Sequence, residues 1–326
     1  MRPYLQHLLL AAIFLTATGV TAFDWSFLVS DNTKQARIDM HNGIVNRTGL
    51  APERYRVLVP YLLDKPIRWL APQVGYAKAF GQVYAVFNWL ALSAILYTLY
   101  FYLSEYFSSE QALVGTLIVA STLPITLRYY NYAPYSLLEP AFVSIGLLCI
   151  RRQAYGWFAV VVAIATLTRE TAIFLVCFFV ATMPRGARHM RLAVGYAAVW
   201  AAIYLAVRWY AGEAGRYFDI ATVWYENTHR VDQLVMALIN WGLWLGAFWF
   251  FAALGYKYAP PFVQRTALVL PLYIVTVLVW GFWTEIRLMM PTYPVLIPLA
   301  LSYLFRAHVV LQNRPGDVQT LIRAAP

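Results

Sequence analysis

Charge is what this chain has least of: Asp, Glu, Lys and Arg make up 12% of its 326 residues, where a soluble domain carries roughly 25%. That scarcity excludes a water-soluble domain with an ordinary polar surface. Cysteine is nearly absent. Cys149 and Cys177 are the only two; both lie in apolar runs and neither has a partner at metal-ligand spacing, so buried free thiols are expected. The chain also lacks a glycine-rich phosphate loop, a nucleophilic serine motif, an internal repeat, a low-complexity tract and any His/Asp/Glu set with convincing metal spacing.

What it has instead is apolar residues: 61% hydrophobic and 17% aromatic, with a mean hydropathy of +0.57. Apolar runs recur at about 18 residues, the length that crosses a hydrocarbon core. The formal charge of +10 fits positive-inside anchoring and contact with membrane lipids or phosphate. No basic stretch is interleaved with exposed aromatics, so nucleic acid is excluded as a partner.

The expected fold is all-α, a polytopic bundle in a single transmembrane domain over 1–326, with about ten spans at 6–23, 79–103, 110–127, 133–150, 155–168, 171–183, 191–210, 234–255, 265–283 and 287–305. Met1-Arg2 and the apolar stretch to Ala22 imitate a signal peptide, but a polytopic chain follows, and a retained first span is expected. The pieces 155–168 and 171–183 are each too short to cross alone. Arg151-Arg152 precede them and Arg185, Arg188 and Arg191 follow. Both basic loops belong in the cytoplasm, so the pair must be a hairpin, about 155–183, that enters and returns. The same parity puts Lys257, Arg265 and a tail of about 306–326 inside, with both termini cytoplasmic. A bacterial inner membrane is the expected location.

The opposite face collects a first extracytoplasmic loop of about 24–78, the segment 128–140, the hairpin tip, the stretch 211–233 and Thr284-Glu285-Ile286-Arg287. Within the first loop, Asp31 to Val45 forms a candidate amphipathic helix offering Ile38, Ile44 and Val45 to the interface. A second amphipathic segment runs from Val57 to Leu70, with Pro60 and Pro66 as breaks.

Ionisable groups beside hydrocarbon are costly and mark function by default. On the far face one theme recurs, an acid close to an arginine: Asp31 with Lys34 and Arg37, Glu53-Arg54-Tyr55-Arg56, Arg128 with Glu139, Arg169-Glu170, and Glu285 with Arg287. Each pair alone is explained by mutual neutralisation. Five on one face suit an anionic substrate whose reaction also needs a carboxylate, because the guanidinium fork matches phosphate. Tyr129 and its neighbours Tyr130, Tyr132 and Tyr135 stand beside Arg128, and Trp224, Tyr225, Trp280 and Trp283 lie near the same face. They serve as an aromatic belt or as a platform for a sugar ring or isoprenoid chain. His41 and His229 are expected to be hydrogen-bonding partners. Asp31, Asp39 and His41 reach a divalent ion only if the loop folds on itself.

Three stretches resemble the GT-C superfamily of membrane glycosyltransferases. They are the acidic loop Asp31-Asn32 through Asp39 running into Tyr55-Arg56-Val57-Leu58-Val59-Pro60, then Leu167-Thr168-Arg169-Glu170-Thr171-Ala172 at a hairpin tip, and Glu285-Ile286-Arg287 followed by Pro291 and Pro294. The resemblance implies transfer of a sugar from a polyprenyl-phosphate carrier to a glycan, lipid or protein acceptor. It puts the catalytic carboxylate on Asp31 or Asp39, with Asp24 less favoured because it ends the first span. It makes Arg54, Arg56, Arg128, Tyr129, Glu139, Arg169, Glu170, Glu285 and Arg287 substrate-binding residues. Members with adjacent acids use a divalent cation, Mg or Mn; Asp31-Asn32 offers one acid, which leaves that cofactor open and assigns no metal ligand. The rival reading is a lipid-linked sugar flippase or small secondary transporter, with charges at mid-depth and broken helices. A scaffold without activity is the third.

Overall fold

The computed structural model describes residues 3–27, 31–127, 137–184, 186–216 and 219–305. Helix is its only repeating structure among the described residues; one isolated bridge joins Ala51 to Arg216. The chain opens with α1 (Pro3–Phe27). The first loop folds as α2 (Asp31–Val45), a 3-10 turn at Glu53–Tyr55, and α3 (Leu58–Val74). Next come α4 (Tyr76–Leu103), α5 (Ser109–Leu127), α6 (Glu139–Arg151) and α7 (Tyr155–Thr168), the last joined by the 3-10 turn Glu170–Ala172 to α8 (Ile173–Thr182). α9 (Ala187–Ala211), α10 (Ile220–Thr228), α11 (Val231–Trp244) and α12 (Phe248–Gly255) lead to α13 (Pro261–Ala267) and α14 (Leu270–Trp280). A 3-10 stretch, Ile286–Thr292, then enters α15 (Tyr293–Leu304).

Three helical segments are long and apolar enough to cross a membrane: Tyr76–Leu103, Ala187–Ala211 and Pro261–Trp280. A fourth qualifies if α11 and the helix after it count as one span bent by 60°. Gly246 sits at that bend with φ +48°, a left-handed conformation that glycine adopts without a Cβ clash. The ten expected runs therefore differ in regularity. The run 133–150 is helical only from Glu139 among the described residues. The run 287–305 begins as a 3-10 stretch, because Pro291 and Pro294 remove two amide donors within four residues.

The first loop also corrects two expectations. Ile38 and Ile44 on α2 are buried rather than offered to a lipid interface, because α2 lies on α3, α4 and the Glu53–Tyr55 turn. α3 runs unbroken through both prolines. Pro60 falls in the first turn, where no amide donor is needed, and Pro66 lies on the exposed side of the helix.

Residues assigned by loop charge to one side do gather at one end. Arg152 pairs with Glu105 at 2.6 Å, Arg151 lies 5.8 Å over the Tyr106 ring, Tyr106 stacks on Phe262, and Arg265 donates to the Thr182 carbonyl at 3.2 Å. From that end α7 and α9 rise together, with His189 packed on Tyr155. The Trp200 indole donates to the Glu170 carbonyl at 3.1 Å. Trp200 is thirteen residues into α9 and eleven short of Ala211, so the hairpin tip is level with a point ~20 Å along the helix and ~17 Å below its far end. The charged tip is thus recessed about half-way along α9, and the first-loop turn Glu53–Tyr55 packs on α9, with Arg56 reaching Glu170.

Candidate functional site

The tip is where α7 stops. Arg169 takes an extended backbone (φ −164°, ψ 143°) and the chain turns through Glu170–Ala172 into α8. This sends two successive side chains to different partners. Arg169 reaches Glu139, the first residue of α6, at 2.8 Å. The other Glu139 oxygen accepts from the Thr171 hydroxyl. Glu170 accepts from Arg56 at 3.0 Å, and Arg56 also lies 3.6 Å from Glu53. Arginines and acids thus alternate across three segments: the first-loop turn, the hairpin tip and the start of α6.

The hydrogen-bonded partners of Arg169 and Glu170 are thus Glu139 and Arg56 rather than each other. Arg128 and Tyr129 lie outside the described residues. Glu285 and Arg287 do pair with each other, at 2.9 Å, flanking the start of the 3-10 stretch that packs on α6. Arg54 is drawn elsewhere: its guanidinium donates to the carbonyls of Glu213 and Ala211, and the Tyr55 hydroxyl donates to that of Gly212. Together they satisfy the orphan carbonyls at the end of α9. Arg208 lies 4.3 Å from the Tyr55 ring centre and 3.7 Å from that of Tyr204. Arg54 straps the loop down.

Arg56 and Arg169 both stand beside the Glu170 carboxylate and compensate its charge. Arg169 and Glu139 are 12% and 8% exposed at their side chains, and the Arg169 Nε has no partner among the described residues. Beside this pair a cleft opens between α6, α8, α14 and the 3-10 stretch. Its polar end holds Glu139, Arg169, Thr171 and Tyr273, and its walls are Phe142, Phe174, Phe178 and Leu270. One end of the cleft carries the Arg169–Glu139 pair and the rest is apolar.

Of the two candidate bases, Asp39 is exposed and accepts from Gln35 at 2.8 Å. Asp31 is the first residue of the helix, and its side chain lies outside the described residues. The buried side of α2 carries Arg37, Ile38 and His41.

A second cluster gathers around His41, which the sequence marked only as a hydrogen-bonding partner. Its Nδ1 lies 2.9 Å from the Tyr84 hydroxyl and its Nε2 lies 3.6 Å from Asp64, which Arg68 holds at 2.7 Å. Burial lowers the imidazole pKa, with Asp64 opposing. No spacing in the sequence joins positions on three helices; only the Asp64–Arg68 interval on α3 was legible. A shared divalent ion on Asp39 and His41 does not fit, because these side chains take opposite sides of α2. No group of three potential ligands comes together among the described residues.

No family model, no curated protein and no solved structure matches this chain.

Proposed function

We propose that this chain is a multi-pass membrane glycosyltransferase that moves a sugar from a polyprenyl-phosphate carrier to an acceptor on the extracytoplasmic face. The observation that carries this reading is the Arg169–Glu139 pair at the head of an apolar cleft. A polyprenyl-phosphate sugar joins a long apolar chain to an anion and then to a sugar, in that order. The cleft offers phenylalanine walls and, at its polar end, a buried guanidinium with a spare donor. The helices too short to cross alone complete a GT-C-like bundle of about ten passes, in a bacterial inner membrane with both termini inside.

In the reaction, the acceptor hydroxyl or amine attacks the anomeric carbon as a carboxylate removes its proton; Asp31 is the residue assigned that role. The bond from the anomeric carbon to the phosphate oxygen breaks, and the phosphate leaves with the electron pair. Its charge is already negative, so it needs electrostatic stabilisation more than protonation. Arg169 supplies that stabilisation, with Arg56 and Arg287 behind it, while Glu139, Glu170 and Glu285 keep the guanidinium groups oriented. Acid alone does not hold the site, because arginine stays charged at any working pH. The acceptor is a glycan, lipid or protein.

The recessed tip and the bent α11–α12 pair favour one other reading, a flippase for a lipid-linked sugar. The two differ in chemistry: a flippase leaves the carrier intact. The protein in lipid nanodiscs, incubated with polyprenyl-phosphate sugars from a bacterial membrane extract, is expected to release free polyprenyl phosphate. Arg169→Lys, checked for folding by thermal stability, is expected to slow release about 100-fold or more, the scale of losing one preorganised donor. Release at the wild-type rate by a folded Arg169→Lys variant overturns the assignment of the phosphate site, and carrier moved but never cleaved favours the flippase.

A further inference from the structure

We infer that α10 is an aromatic platform that binds the sugar ring of the acceptor, an inference that rests on the transferase reading and names a substrate subsite for it. α10 is held by a narrow strip, since only Val223 and Asn227 are buried. Asn227 is the anchor. Its amide donates to the Gly281 carbonyl at 2.9 Å and its carbonyl accepts from the Trp283 amide at 3.0 Å. Both ends of that side chain are spent on the loop that runs into Glu285 and Arg287, so the platform is fixed to one wall of the site. Below it, α14 carries Tyr273 into the cleft.

The rest of the α10 surface is graded around its circumference. Ile220 and Trp224 form one flank, Tyr225 and His229 the crest, and Glu226 the other flank. The His229 ring stacks on one face of Tyr225, 12° from parallel with centroids at 4.9 Å, and Tyr225 is 57% exposed. An exposed aromatic face packs against the C–H face of a pyranose. The hydroxyl edge of such a ring needs fixed donors and acceptors beside it. Arg230 supplies these together with Glu226 at 3.2 Å and Asp232 at 2.9 Å. An acyl-chain contact would use only the Ile220 and Trp224 flank and would leave this charged network and the crest without a role.

The test is saturation-transfer difference NMR on the full chain in nanodiscs, with methyl glycosides of glucose, mannose, galactose and arabinose as probes. At least one glycoside is expected to bind the wild type, and Tyr225→Ala is expected to weaken it tenfold or more while leaving thermal stability unchanged. Arg169→Lys is expected to bind it as the wild type does. Binding that is unaltered in Tyr225→Ala overturns the platform, as does the absence of binding by all four glycosides. So does an effect of Tyr225→Ala confined to lipid association. Glycoside binding that depends on Tyr225 in a protein that never cleaves a polyprenyl-phosphate sugar leaves the platform standing and removes the transferase reading, so the two failures are distinct.

Discussion

Glu139 and Arg169 are thirty residues apart in the chain and 2.8 Å apart in space, and they tie the start of α6 to the tip of the hairpin. Each sits where a single charge would be costly. Their pairing explains how a guanidinium can be kept, charged and oriented, half-way down a helical bundle.

Removing one partner should therefore cost more than removing both. Glu139→Ala leaves Arg169 buried without its counter-charge, and the expected loss is about 3 kcal/mol. The double variant Glu139→Leu with Arg169→Leu should recover most of it. Thermal unfolding in nanodiscs checks this; an unchanged midpoint in Glu139→Ala would mean that the pair contributes nothing.

Arg56 and Glu170 tie the first loop to the hairpin tip at 3.0 Å. Arg56→Gln leaves the carboxylate without its hydrogen-bonded cation and should lower the unfolding midpoint in nanodiscs, with Arg56→Lys falling less. An unchanged midpoint in Arg56→Gln would contradict the pairing.

His41 gives a pH signature. Its folded pKa lies below the ordinary 6.5 because burial penalises the cation. Folding therefore favours the neutral ring: stability is full above pH 6.5 and declines as pH falls below it. His41→Gln should flatten that decline. Unfolding midpoints from pH 7.5 down to about 5 provide the check, and a variant as acid-sensitive as the wild type would remove His41 as the cause.

Local features were readable in the sequence because they depend on neighbours. Asp31 to Val45 is helical, the hairpin turns at Arg169-Glu170, and Glu285 meets Arg287 two residues on. Long-range partners were not. The charge pattern put Arg169 beside Glu170, but side-chain direction at a helix end decides partners, and the extended backbone of Arg169 sends the two tip residues to different hydrogen-bond partners. Hydrophobic runs could not report the bend at Gly246 or the 3-10 entry to α15, since both preserve apolar composition while altering geometry. The burial of Ile38 and Ile44 was hidden for the same reason: an apolar face on a loop helix suits lipid and protein equally well. The hold of Arg54 on the end of α9 was not legible, because nothing in the sequence reveals the free carbonyls there.

The central claim is chemical, and the two aspartates of α2 test it most directly. Wild type, Asp31→Asn and Asp39→Asn, each confirmed as folded, would be incubated with polyprenyl-phosphate sugars and an acceptor-containing membrane extract, and free polyprenyl phosphate measured over time. Release by wild type and Asp39→Asn, with a loss of about 100-fold or more in Asp31→Asn, is the predicted result. Equal release by all three proteins, or release lost only in Asp39→Asn, would contradict the assignment of Asp31, and no release by any would contradict the transferase itself.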